Sequence, residues 1–105
     1  MKFIYVTCNV SMLEAVTEII DEIKIQNYQV VERVTAKSSK GTPRLDNAVW
    51  PGYNSSIFIQ EKDYDKVIKL INKVKTMNDS AFNHSELISL STWDLSNIEE
   101  QVANC

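Results

Sequence analysis

The chain is 105 residues long, 44% hydrophobic and 24% charged, with a formal net charge of −3 and a pI near 5.1. That size supports one small core, and that charge argues against a nucleic-acid-binding domain driven by phosphate neutralisation. Apolar runs reach about five residues, far below the roughly 18 to 20 that cross a bilayer, and no signal-peptide pattern opens the chain, so a cytoplasmic protein without membrane insertion is expected.

Residues 2–8, KFIYVTC, are β-branched and aromatic with apolar side chains on both alternating faces, the pattern of a central strand. Ser11 with Glu14 makes a capping box, and Leu13, Val16, Ile20 and Ile23 follow at helical spacing, so a helix is expected to about Gln26 with Asn27 as a left-handed cap. Residues 28–35, YQVVERVT, form a second, half-exposed strand with Val31 and Glu32 on opposite faces, and SSIFIQ at 55–60 a third with apolar residues on both faces. A second helix covers about 62–76, with Tyr64, Val67, Ile68, Ile71 and Val74 on its inward side. A fourth strand spans 86–92, and Ser96 with Glu99 opens a short terminal helix with Ile98 and Val102 inward.

Between the second and third strands, residues 36–54 hold both glycines and both prolines of the chain. Long structureless connections inside a compact domain are usually functional or disordered, so this loop is the first candidate for function. It carries Lys37, Lys40 and Arg44 against Asp46, a local +2 that leaves −5 on the remainder and suits an anion or an acidic protein surface. WPGYN ends the loop in a Pro51-Gly52 turn whose second residue needs a positive φ. Trp50, beside that turn, is expected to pack on the body, or else to line a cleft with Arg44 and Lys40 near an anionic group.

Catalysis finds little support, because the only histidine, His84, lies in a polar surface segment and no nucleophile precedes a base at a recognised spacing. His84 with Asp79 and Glu86 is a weak metal candidate that would need ligands from a neighbouring subunit. Cys8 and Cys105 have no spacing suited to a disulfide framework or thiolate metal site, and Cys8 is read as a small buried apolar residue.

The element order β-α-β-β-α-β is the α+β, ferredoxin-like sandwich, here with a long loop between strands 2 and 3 and a short C-terminal helix, and residues 1–105 are read as one domain. In that arrangement both helices cover one sheet face, yet the two central strands are apolar on both. Roughly 400 to 600 Å² of apolar sheet would stay wet, unusual for a soluble monomer. Self-association around a symmetry axis is the economical solution, and return of the tail helix or the Trp93 region over that face is the alternative.

This architecture over nearly the whole chain resembles the PII signalling proteins and their PII-like relatives. At the residue level the resemblance rests on Glu32 at the end of the second strand and on Lys40-Gly41 entering the loop, the region those proteins call the T-loop. It implies a homotrimer that senses a small ligand, an anionic metabolite or a nucleotide, in clefts between subunits. It also implies a regulatory rather than enzymatic role, with the loops, through Lys37, Arg44 and Asp46, engaging a protein target such as a membrane transporter or an enzyme. Lys40, Gly41, Arg44 and Trp50 are the ligand-contacting candidates.

The chain departs from the family where it has Thr35, Lys37, Ser38 and Ser39 in place of the glycines and the Arg-Gln pair at the loop base. It also has no glycine in KTMNDSAFNHS after the second helix, which points to a divergent member. SSKGT, residues 38–42, lacks phosphate-loop spacing. A CutA-like metal-responsive trimer and a small enzyme are the alternatives.

Overall fold

The computed structural model describes residues 1–37, 52–82, 86–96 and 99. Its elements are β1 (Lys2–Asn9), a 3₁₀ turn (Val10–Met12), α1 (Leu13–Ile23), β2 (Tyr28–Val34), β3 (Asn54–Glu61), α2 (Tyr64–Asp79) and β4 (Ser89–Asp94). The strands form one antiparallel sheet in the order β2-β3-β1-β4. This is the ferredoxin-like arrangement expected from the sequence, with β1 and β3 central. The expected terminal helix, with Ile98 and Val102, lies outside the described residues.

Strand alternation sends Ile4, Val6 and Cys8 of β1 and Ile57 and Ile59 of β3 to one face, all at 2% exposure or less. There they meet Val16 and Ile20 of α1 and Val67, Leu70 and Val74 of α2. Cys8 is thus the small apolar core residue its strand position suggests.

Several local boundaries differ from the sequence pattern. Helix α1 does not begin at a Ser11 cap: β1 continues through Asn9, which pairs with Asn54, and the Asn9 side chain accepts the Ser11 N–H (3.2 Å) to start a 3₁₀ turn. The helix ends three residues early. Lys24, not Asn27, adopts the left-handed conformation (φ 68°), its N–H donating to the Asp21 carbonyl (3.0 Å) and that of Ile25 to Ile20 (3.2 Å). This is the Schellman pattern, in which an apolar residue just past the cap packs back on the helix. Burial of Ile25, 2% exposed, outweighs the roughly 1–2 kcal/mol cost of a left-handed lysine.

On α2 the inward stripe is Val67, Leu70 and Val74, with Ile71 at its margin, whereas Tyr64 and Ile68 are exposed. Asp63 caps the helix by accepting the Asp65 N–H (3.0 Å), and the helix runs past residue 76 to Asp79. Strand β4 starts three residues later than its apolar run suggests. The Asn78 amide holds both backbone groups of Ile88, accepting its N–H (2.8 Å) and donating to its carbonyl (2.9 Å), so Ile88 is tied to the helix end and pairing begins at Ser89.

The opposite face of β1 and β3 carries Phe3, Tyr5 and Phe58, joined by Trp93 of β4. Ring centroids lie 4.8 Å apart for Phe3 and Trp93, 5.3 Å for Tyr5 and Phe58, and 6.3 Å for Phe3 and Phe58. Trp93 does not fold back over this face as a lid but extends it, as a strand residue paired with Phe3 and 47% exposed.

Candidate functional site

Antiparallel topology brings the end of β1, the end of β2, the start of β3 and the connection from α2 to β4 to one end of the sheet. The loop of residues 36–54 leaves and rejoins the body there. Gly52, at its exit, has φ 89°, the positive value the Pro-Gly turn demanded, and a side chain there would be strained despite the open space around it.

The next residues lock the loop exit to the body. The Arg33 guanidinium sits 4.4 Å from the centroid of the Tyr53 ring, a cation–π contact across the loop mouth. The Tyr53 carbonyl accepts the Val10 N–H (3.2 Å). Ser55, fully buried, donates its hydroxyl to the Glu32 carbonyl (2.6 Å), and Asn54 donates to the Thr7 hydroxyl (3.5 Å). The uncovered face therefore has two halves. One is aromatic, and the half beside the loop carries Thr7 with the buried Asn54 and Ser56, Ser56 Oγ lying 3.3 Å from the Tyr5 hydroxyl.

The second connection at this end is also pinned. Asn78 clamps Ile88 as described, and the Glu86 carboxylate accepts the Phe82 N–H, while the Phe82 ring is 94% exposed. Glu86 is thus engaged with backbone. His84 lies outside the described residues, and among those described no three His, Cys, Asp or Glu side chains are placed to hold a metal ion.

Of the loop residues singled out in the sequence, Lys37 is exposed at the loop entry. Lys40, Gly41, Arg44, Asp46 and Trp50 lie outside the described residues. The Arg33–Tyr53 contact, the Ser55–Glu32 bond and the Asn78 clamp were not read from the sequence. Each joins residues 10 to 23 apart through tertiary placement, and only the ordinary turn preference of Asn hinted at the last.

Comparison with solved structures settles which fold this is. The fold is that of the PII-like signalling proteins. CPII from Thiomonas intermedia, a nitrogen regulatory PII-like protein bound to ADP, AMP and bicarbonate, aligns at a TM-score of 0.65 with 14% identity over 91% of this chain and 88% of that one. Its apo form aligns at 0.60 with 13% identity over 88% and 87%. A protein from Thermus thermophilus proposed to be a PII-like signalling protein aligns at 0.61 with 11% identity over 88% and 83%. No protein-family model matches the sequence, and no curated protein matches it. At these identities the likeness speaks for the fold. Among the described residues no helix is long and apolar enough to cross a membrane.

Proposed function

We propose that this chain is a divergent PII-like regulatory protein: a cytoplasmic homotrimer of one domain, residues 1–105, that senses a small anionic ligand in clefts between subunits and reports it to a protein target through loop 36–54. The observation that carries this reading is the uncovered aromatic face of Phe3, Tyr5, Phe58 and Trp93 on a sheet whose opposite face is fully packed. Covering roughly 400 to 600 Å² of it at about 25 cal/mol per Å² supplies on the order of 10 kcal/mol before association costs. Copies meeting on that face bring their loop ends together and create clefts beside them.

The ligand half of the proposal draws on the loop cations Lys37, Lys40 and Arg44, on Gly41, where backbone can approach a phosphate closely, and on Trp50 at the loop exit. CPII, with the same fold, is described with ADP, AMP and bicarbonate bound, which makes adenine nucleotides and bicarbonate the first ligands to try. The partner half draws on Lys37, Arg44 and Asp46 in a loop whose exit is fixed by Arg33 and Tyr53. The target is an enzyme or a membrane transporter with an acidic docking surface. No described side-chain cluster favours a metal-responsive CutA-like trimer or an enzyme.

Light scattering tests the assembly: a mass of three 12.0 kDa chains supports it, and a stable single subunit overturns it. Calorimetric titration with ADP, AMP, ATP and bicarbonate tests the ligand. Removal of residues 38–49 is expected to leave the trimeric state intact and to abolish nucleotide binding and partner capture.

A further inference from the structure

The outer surface of the two helices is split by charge. On α1 the solvent side carries Glu14, Glu18 and Glu22, and on α2 it carries Lys69 and Lys73, with Lys62 just before the first turn, all exposed. Spacings of four residues keep each set in one row on its helix. Among the described residues no ion pair joins the two rows. This surface lies on the far side of the helices from the sheet, outside the assembly proposed above. The groove lined by Gln26, Gln29 and Gln60 does not, because its floor is Phe3 and Phe58.

The topology fixes how the rows stand. Strands β1 and β3 are antiparallel neighbours and each helix runs back along the strand before it, so α1 and α2 lie side by side and antiparallel. Lys66 sets their relative height, its ammonium donating to the Lys24 carbonyl at the end of α1 (2.9 Å). At 1.5 Å per residue from that level, Glu22 and Glu18 stand about 3 and 9 Å up the helix layer, and Lys69 and Lys73 about 4.5 and 10.5 Å. Glu22 is thus level with Lys69 and Glu18 with Lys73, to within about 1.5 Å. Lys75 lies half a turn round from Lys66, on the flank away from α1.

We infer that this surface is a docking site for the same surface of a second copy of the chain. A two-fold axis parallel to the helices keeps heights and exchanges sides, so α1 of each copy lies on α2 of the other, with Glu22 opposite Lys69 and Glu18 opposite Lys73. A two-fold axis across the helices would set acid on acid. Charge complementarity of this kind fixes orientation and speeds encounter more than it adds strength. Pairs so exposed contribute up to about fivefold each to an association constant, so the contact is reversible and salt-sensitive. An anionic membrane is the poorer occupant, because the glutamate row beside the lysines repels it.

The test is sedimentation velocity of the full-length protein over a concentration series to millimolar. The salt is varied from roughly 0.01 to 1 M, which shortens the Debye length from about 30 to about 3 Å. The expected result is growth in mass with concentration at low salt and none at high salt. Lys69→Glu with Lys73→Glu, and separately Glu18→Lys with Glu22→Lys, change only exposed side chains and should each weaken self-association more than about tenfold. An equimolar mixture of the two variants should restore it, since every facing pair is again opposite in sign. Lys75→Glu should leave it at wild-type strength. In the Trp93→Asp background, where single chains replace the trimer, growth should stop at two chains, because a two-fold contact closes. If the trimer reading fails, the wild-type chain itself stops there, so the two proposals fail separately. No growth at low salt, an equal loss with Lys75→Glu, variants that stay apart when mixed, or growth past two chains in the Trp93→Asp background would each overturn the inference. So would binding of the wild type to phosphatidylserine vesicles that is lost with Lys69→Glu and Lys73→Glu, which would give the lysine row to a membrane surface.

Discussion

The two faces of β1 and β3 are made from alternate residues of the same strands yet meet different fates. Ile4, Val6, Ile57 and Ile59 are closed off by α1 and α2, whereas Phe3, Tyr5 and Phe58, one residue away, lie on a face that no described element covers. The covered face specifies the fold of a subunit. The uncovered one, flanked by a pinned loop mouth at one end and a carboxamide groove at the other, is where interactions with other molecules are available. Strand alternation thus lets one eight-residue segment serve folding and recognition together.

Substitutions can break that division of labour, and the largest effect is expected on the covered side. Ile57→Ala, at a fully buried position of the core, should cost about 2–5 kcal/mol, read from the shift of the urea midpoint at constant slope. On the uncovered side, Trp93→Asp should act on assembly rather than folding. The subunit should unfold at nearly the wild-type midpoint when dilute, while light scattering shows a single chain in place of the trimer. A loss of stability equal to that of Ile57→Ala would mean that the aromatic face is closed within one subunit.

Smaller effects are expected at the boundaries of the core. Asn78→Ala leaves both backbone groups of the buried Ile88 without their partner and should cost about 1–3 kcal/mol, with faster amide exchange at Ile88 as its signature. Gly52→Ala meets no steric obstacle but must hold an L residue at φ 89°, for about 1–2 kcal/mol, visible as a lowered thermal midpoint.

The smallest concerns the edge of the covered face, where the Lys2 ammonium lies 2.7 Å from Asp94. The hydrogen bond to Lys2 holds the Asp94 carboxyl below its ordinary value of 3.8, and the reciprocal bond raises Lys2 above 10.5. The Asp94 contribution is therefore present above pH 3.8 and fades as pH falls through the lowered native value. That of Lys2 is present below 10.5 and fades as pH rises through the raised one. Both groups are solvent-exposed, so the difference in midpoint between wild type and Asp94→Asn should be slight at neutral pH, shrink in salt, and vanish at either extreme.

Much of this was legible in the chain itself. The runs at residues 2–8 and 55–60, apolar on both faces, and the period-3.6 run of α1 reported the layers, because the surfaces an element buries leave their mark on its sequence. Gly52 announced its positive φ through the Pro-Gly pair. The element ends were less legible. Ser11 looks like a cap until Asn9 is seen paired with Asn54, and Asn27 looks like a better helix stop than Lys24 until Ile25 is seen in the core. Phe82 and Tyr64 look equally apolar in sequence to residues that are buried, and nothing local distinguishes them. Of the site, the sequence offered the loop and its charges, but not the Arg33 contact that pins the loop exit or the convergence of three glutamines from two segments.

By itself, then, the sequence determined the secondary elements, their order and the two-faced character of the central strands, since each is written in spacings of a few residues. Only the tertiary structure decided where the helices stop, where strand pairing begins, and which polar side chains share a groove. Those outcomes depend on contacts between residues far apart in the chain, whose energies no local pattern contains.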